Sequence, residues 1–297
     1  MNQFKKVVLG AAVGMALGVS AGAQAGTVAS QLFGGRQLLS DNSAETLIKG
    51  AGNTTVGVLQ VGDRLRGVFN IETVEPLPAG AAHSLGLISG NNQLAGIFDI
   101  TVATKSGSLG AFAFSFAPTA LVLSGFVAPV GTAVVFYEGG SPGTFSRTSP
   151  ACTSAAIGGN CEQLITAGAS VFWYAGFTAS LADTDFWTAS AITDNIAAIG
   201  AIPAPGNGGS FNLGIHQLPG GAGGNLLATP CFDPTVGAIG SVSFCGSGSL
   251  LGTGGAATPY SSFDDVNFVI NRVPEPASLA LLGLGLLGLA GIRRRKE

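Results

Sequence analysis

The chain of 297 residues reads as an all-β protein: a single β-sandwich of jelly-roll type with disulfide-clamped loops, plus an N-terminal signal helix and a C-terminal transmembrane helix. Three observations predict this. The chain holds 47 Gly and 14 Pro, and only 10% of its residues are charged, whereas long surface helices need Glu and Lys on their wet face. Apolar and polar residues alternate with a period of two in one segment after another. Turn signals separate those segments at the short intervals of a sandwich. A parallel β-helix is the alternative, but it calls for a ladder of repeats and no fixed period is present.

The N-terminus is an export signal. Lys5 and Lys6 precede an apolar run from Val7 to Val19, and Ala23-Gln24-Ala25 sets small residues before a cut at Gly26. That layout is a secretory signal peptide over residues 1–25, with Ala23, Ala25 and Gly26 read by signal peptidase. Residues 26–272 are then the extracellular β-rich domain, long enough for one sizeable core.

Within that domain, Leu65, Phe69 and Ile71 share one face of a strand and Arg66, Asn70 and Glu72 the other. Gln93 to Thr104 repeats the pattern, with Phe98, Ile100 and Val102 opposite Asp99 and Thr101. Phe112, Phe114 and Phe116 form a third stripe, and Leu121 to Val127 and Ala133 to Tyr137 follow after turns at Pro118 and at Pro129-Val130-Gly131. Glu138 to Gln163 is turn-rich and reads as a long surface excursion. Strand-like content returns at Ser170 to Thr178, Phe186 to Ile192, Ser210 to Leu218, Val236 to Cys245 and Ser262 to Val273. Gly-rich connectors at 206–210 and 219–225 flank the strand from Ser210 to Leu218. In the last strand Val266, Phe268 and Ile270 share a face, leaving Asp265, Asn267 and Asn271 on the other.

Cys152, Cys161, Cys231 and Cys245 all lie in the exported part, and an even count in an oxidising compartment points to two disulfides. Three pairings are possible, and we expect neighbours to pair, each short loop contributing about 3 kcal/mol on the chain-entropy estimate. Closely spaced Cys and His ligands of a zinc site are lacking.

The last strand runs straight into residues 273–297, where three different elements stand in fixed order. Val273-Pro274-Glu275-Pro276 has two residues without backbone donors and is extended. Ala277 to Ile292 carries no charge and, as a helix of about 24 Å, comes close to the roughly 30 Å of a hydrocarbon core. Arg293, Arg294, Arg295 and Lys296 then act as a membrane stop on the cytoplasmic side. This tail resembles the PEP-CTERM sorting signal of Gram-negative surface and matrix proteins. The resemblance implies processing by an exosortase, a membrane-embedded cysteine transpeptidase, at Pro274 to Pro276. It is an address and not an activity.

Losing both ends takes six of the 13 basic and two of the 16 acidic residues, leaving residues 26–272 near minus 7. The seven remaining basic residues form no dense run, so nucleic acid is excluded as a partner. Gly139-Gly140-Ser141-Pro142-Gly143 matches the spacing of a nucleophile elbow, but Pro142 has no N–H for an oxyanion hole. His83 and His216 are the only histidines and stand apart from any triad or metal cluster. Asp183-Thr184-Asp185 and Asp264-Asp265 offer oxygen ligands for a structural Ca²⁺, against the plainer reading that they cap turns. Phe172, Trp173, Tyr174, Phe177, Phe186 and Trp187 are the densest aromatic region, read first as core and second as a sugar-stacking face.

The reading that follows is a non-enzymatic, exosortase-sorted protein without a cofactor, in the extracellular polysaccharide matrix and active in floc or biofilm formation. Its partners are signal peptidase, exosortase, exopolysaccharide and, through the C-terminal helix before processing, the inner membrane. A carbohydrate- or ice-binding module and a glycan-active hydrolase are the alternatives. Ice recognition wants regular Thr-x-Thr arrays, which are absent, and a hydrolase needs a selected acid pair among fourteen acidic residues.

Overall fold

The computed structural model describes Val28, Leu32 and residues 34–78, 83–84, 93–123, 126–139, 152–178, 185–199, 208–233, 237–251 and 259–273. In chain order its strands are β1 (Gly35–Ile48), β2 (Arg64–Pro76), β3 (His83–Ser84), β4 (Leu94–Ser108), β5 (Ala111–Pro118), β6 (Val122–Leu123), β7 (Phe126–Val127) and β8 (Thr132–Gly139). They continue with β9 (Ala169–Gly176), β10 (Phe186–Ala191), β11 (Gly209–Leu218), β12 (Thr229–Asp233), β13 (Gly237–Val242), β14 (Phe244–Leu250) and β15 (Ser262–Arg272). Two short helices, α1 (Asn160–Thr166) and α2 (Ile196–Ile199), interrupt them.

Eight strands close on themselves in the order β1-β2-β4-β8-β9-β11-β14-β15, every neighbour antiparallel. This closed barrel corrects the expected sandwich. A sandwich leaves sheet edges, whereas β1 pairs with β15 from Gly35 opposite Arg272 to Glu45 opposite Ser262, and with β2 on its other side. Closure joins the first and last strands, a contact that alternation along any single strand does not encode. Register shifts at Ser40/Asp41, Val102/Thr104 and Thr132/Val134 bend the long strands around.

One part of the wall has two tiers. Between β4 and β11, the pair β8–β9 fills the upper half, where β1 begins and β15 ends. The pair β5–β10 fills the lower half. The upper interior is packed with aromatic rings: Phe136 stands 5.1 Å from Phe69 and from Phe244, and 5.7 Å from Trp173. Gly96 makes that packing possible and Gly67 makes room for Phe98 below it, because a Cβ on either would lie within 2.4 Å of the rings of Phe69 and Phe98 respectively. Phe172, Trp173, Phe186 and Trp187 are all buried, so the dense aromatic region is packed into the fold.

Two caps cover the outer wall. The excursion read as loop contains α1, whose Cys161 and Ile165 pack with Ala44, Val68, Ala95, Ile97 and Val135 on the barrel's outside. Cys152 and Cys161 are bonded at 2.08 Å, which ties this cap together. On another side the β12–β13 hairpin is tied to β14 by Cys231–Cys245, S–S 2.04 Å, over Phe186 and Val242. The neighbour pairing of cysteines is thus the one formed.

The signal helix and the transmembrane helix expected at the two ends fall on residues 1–25 and 277–292, outside the described residues. Helix α1 has seven residues and α2 four, and among the described residues none is long and apolar enough to cross a membrane.

Candidate functional site

Alternation puts apolar residues inside the barrel and small polar ones outside, and pairing lines the outer ones up. One row runs Thr104, Ser115, Thr188, Asn212, Ser247, Asn267, Ser40, Thr73, each the register partner of the next, on β4, β5, β10, β11, β14, β15, β1 and β2. A second row, Ser190, Ser210, Ser249 and Asp265, lies two residues below it. Neighbouring strands are about 4.8 Å apart, so hydroxyl and amide groups repeat at that pitch across the wall. Ser190 and Ser210 are in mutual hydrogen-bond contact at 3.1 Å, and Thr104 and Ser115 at 2.6 Å. Asp265 is the only ionisable member. The row climbs from the lower to the upper end because closing a barrel staggers the register.

Inside, the same register gathers carboxylates. Asp41 and Glu45 on β1 and Asp264 on β15 are buried, on the inward face shared with Leu39 and Val266. Glu45 and Asp264 line a cavity of about 40 Å³ in the lower half, walled by Phe98, Phe114, Phe116, Trp187 and Phe211. Burial pushes the Glu45 carboxyl up to about 7, against a hydrogen bond from Ser262 that pulls it down. Its Oε2 is buried and has no hydrogen-bond partner. Asp41 is likewise raised well above the usual carboxylate range by burial, although the Val266 N–H donates to its Oδ1 at 2.7 Å.

Leu59 and Ile196 close the cavity from below. Their segments are stitched together: Leu59 N donates to Asp194 O at 2.7 Å, Ile196 N to Gly57 O at 3.1 Å, and Lys105 Nζ to both Leu59 O and Asp194. Buried Asp63 organises the same loop by accepting from Lys49, Gly50 N, Asn53 and Gln60 N.

Two further polar clusters have structural roles. Arg66 lies buried on the outer wall between Asp99, at 2.9 Å, and Glu162 of α1, at 2.5 Å, and Arg64 reaches the same Asp99. This pins the helix to the barrel. His216 sets Nδ1 against Asp185 at 2.5 Å and Nε2 against the Ser241 carbonyl at 3.1 Å, while Thr178 donates to Asp185 Oδ2 through N and Oγ1. Both ring nitrogens face acceptors, so His216 joins β11 to the capping hairpin. Sequence inspection missed this pair, since Asp185 and His216 are distant along the chain.

Asp264 and Asp265, expected together as Ca²⁺ ligands, alternate across β15: Asp264 lines the cavity and Asp265 faces out. Among the described residues no group of three or more His, Cys, Asp or Glu is placed to hold a metal ion. Gly139 ends β8, and Gly140 to Gly143, Asp183 and Thr184 lie outside the described residues. So do Ala23, Ala25, Gly26, Pro274, Glu275, Pro276, Arg293, Arg294, Arg295 and Lys296. Val273 is described: its N–H donates to Asn225 O at 3.3 Å, holding the chain against the barrel up to the residue before Pro274.

The last strand of the disulfide-clamped β-barrel ends at Arg272, and the tail that follows is what defines the class of an exported, sorted protein. The model of the PEP-CTERM protein-sorting motif matches residues 272–296, so the chain carries that motif and is an exosortase-sorted extracellular protein addressed to the cell surface. No curated protein and no solved structure matches the chain.

Proposed function

We propose that the barrel is a non-enzymatic component of the extracellular polysaccharide matrix that acts in floc or biofilm formation after passing the inner membrane of a Gram-negative bacterium. The observation that carries this reading is the outer row of Ser, Thr and Asn running across eight strands at a regular pitch. Sugar hydroxyls both donate and accept, and so do Ser, Thr and Asn side chains, which makes such a wall complementary to a neutral or acidic glycan without fixing one ring in one pose. Each hydrogen bond exchanged with water is worth about 1 kcal/mol or less, so single sugars bind weakly and a polymer binds by repetition. Support for a non-enzymatic role comes from where the reactive groups go: Arg66 and His216 are engaged in holding caps to the barrel.

The test is sedimentation of purified residues 26–272 with matrix polysaccharide. Binding should drop at least tenfold when Asn212, Ser247 and Asn267 are together replaced by Glu, with the far-UV spectrum unchanged. A deletion strain complemented by that variant should fail to floc. Full binding by the triple variant would remove the polar wall from the account.

A further inference from the structure

We infer that the lower barrel cavity is a binding site for a small primary ammonium ion of two or three heavy atoms, held by the Glu45 carboxylate and enclosed by aromatic rings. This inference is independent of the polysaccharide reading, which concerns the outer wall.

Three observations lead to it. The first is size: a cavity needs roughly 10–15 Å³ to hold one water, so about 40 Å³ admits an object of two or three heavy atoms. The second is the wall. Phe98, Phe114, Phe116, Trp187 and Phe211 present rings to a space this small, and ring faces attract cations and not anions. The third is Glu45 itself. It is 97% buried, lines the cavity and has an oxygen with no partner, which a buried carboxylate tolerates only at a cost that a donor in the cavity would relieve. An ammonium supplies three N–H donors and a positive charge, while its alkyl end suits the apolar remainder.

The other ionisable groups around the cavity agree in sign. Asp264 lines it from β15, and Asp194 lines it from the lower closure, paired with Lys105 at 2.6 Å. Asp41 stands on the same strand as Glu45 and on the same inward face. The remaining lining residues from β2, β4, β5, β10, β11 and β14 carry no ionisable group. No Lys, Arg or His is among the described lining residues; the Lys105 ammonium beside the lower closure is engaged by Asp194 and the Leu59 carbonyl, so it offsets Asp194 and leaves Glu45 and Asp264 as the net acidic lining.

Binding is coupled to loss of the Glu45 proton. With that carboxyl near 7, affinity for an ammonium should rise by about thirtyfold between pH 5.5 and pH 8, where the acceptor becomes ionised.

The chain has two tryptophans, which provide the readout: Trp187 lines the cavity and Trp173 sits in the upper core. Methylammonium chloride titrated at pH 8 should move the Trp187 indole NMR signal saturably and leave Trp173 in place. Sodium chloride at equal ionic strength should move neither. Glu45→Gln should abolish the response while keeping both indole signals dispersed, and Ala189→Met, which fills the cavity, should abolish it in a folded protein. The inference is overturned by no saturable shift in the parent protein or by an unchanged response in Ala189→Met. Equal binding of methanol at pH 5.5, showing a neutral donor site, would also overturn it.

Discussion

Glu45 is the residue where sequence and structure diverge most in consequence. In the sequence it is one of many acids, flanked by Ala44 and Thr46 with nothing to mark it; in the barrel it is a buried carboxyl facing rings. Its folded-state carboxyl is raised to about 7 from an unfolded value near 4.5, so the folded form holds its proton more tightly. The stabilisation from that proton is complete below about pH 4.5 and is lost as pH rises through about 7, a difference on the order of 3 kcal/mol. Glu45→Gln mimics the protonated acid. It should therefore leave the melting temperature at pH 4.5 nearly unchanged and raise it by several degrees at pH 8. A thermal melt at the two pH values checks this, and a loss of stability at both would count against the assigned environment. By contrast Phe98, Ile100, Val102, Phe112, Phe114 and Phe116 were legible from alternation alone, because these apolar residues recur at every second position and turn inward together.

At the scale of elements, β1 left no such trace. Its inward positions include Gln37, Asp41, Ser43 and Glu45, all buried, so a polar-inside strand shows no apolar stripe to read. Helix α1 was hidden for a different reason: seven residues are too few for a helical period to stand out, and its anchors, Arg66 and a disulfide, come from elsewhere. That anchoring makes a prediction. Glu162→Ala takes from the buried Arg66 guanidinium one of its two carboxylate partners and should destabilise the protein by about 3 kcal/mol, read from the denaturation midpoint. Replacing Arg66 by Met and Glu162 by Leu together should recover most of the loss. If the double variant were as unstable as the single one, the ion pair would be contributing more than it costs to bury.

For the whole molecule, strands and their faces could be read from the sequence, yet which edge meets which could not. The junction of β1 with β15 and the two-tier wall between β4 and β11 depend on contacts between distant segments, so a sandwich and a barrel look alike until the circuit closes. On the proposed reading this side-by-side placement also shapes binding, because the polar row is continuous only where strands from distant parts of the chain, the β5–β10 pair included, meet. Affinity for matrix glycan should therefore grow with chain length, with short oligosaccharides at least a hundredfold weaker than polymer in calorimetry. Length-independent affinity would point to a single pocket and away from a distributed wall.

The last bonded residue of the fold, Val273, is the direct neighbour of Pro274. The bonded fold and the sorting motif, matched over residues 272–296, therefore meet without an intervening linker, so trimming the tail removes nothing that the described barrel bonds hold beyond Val273.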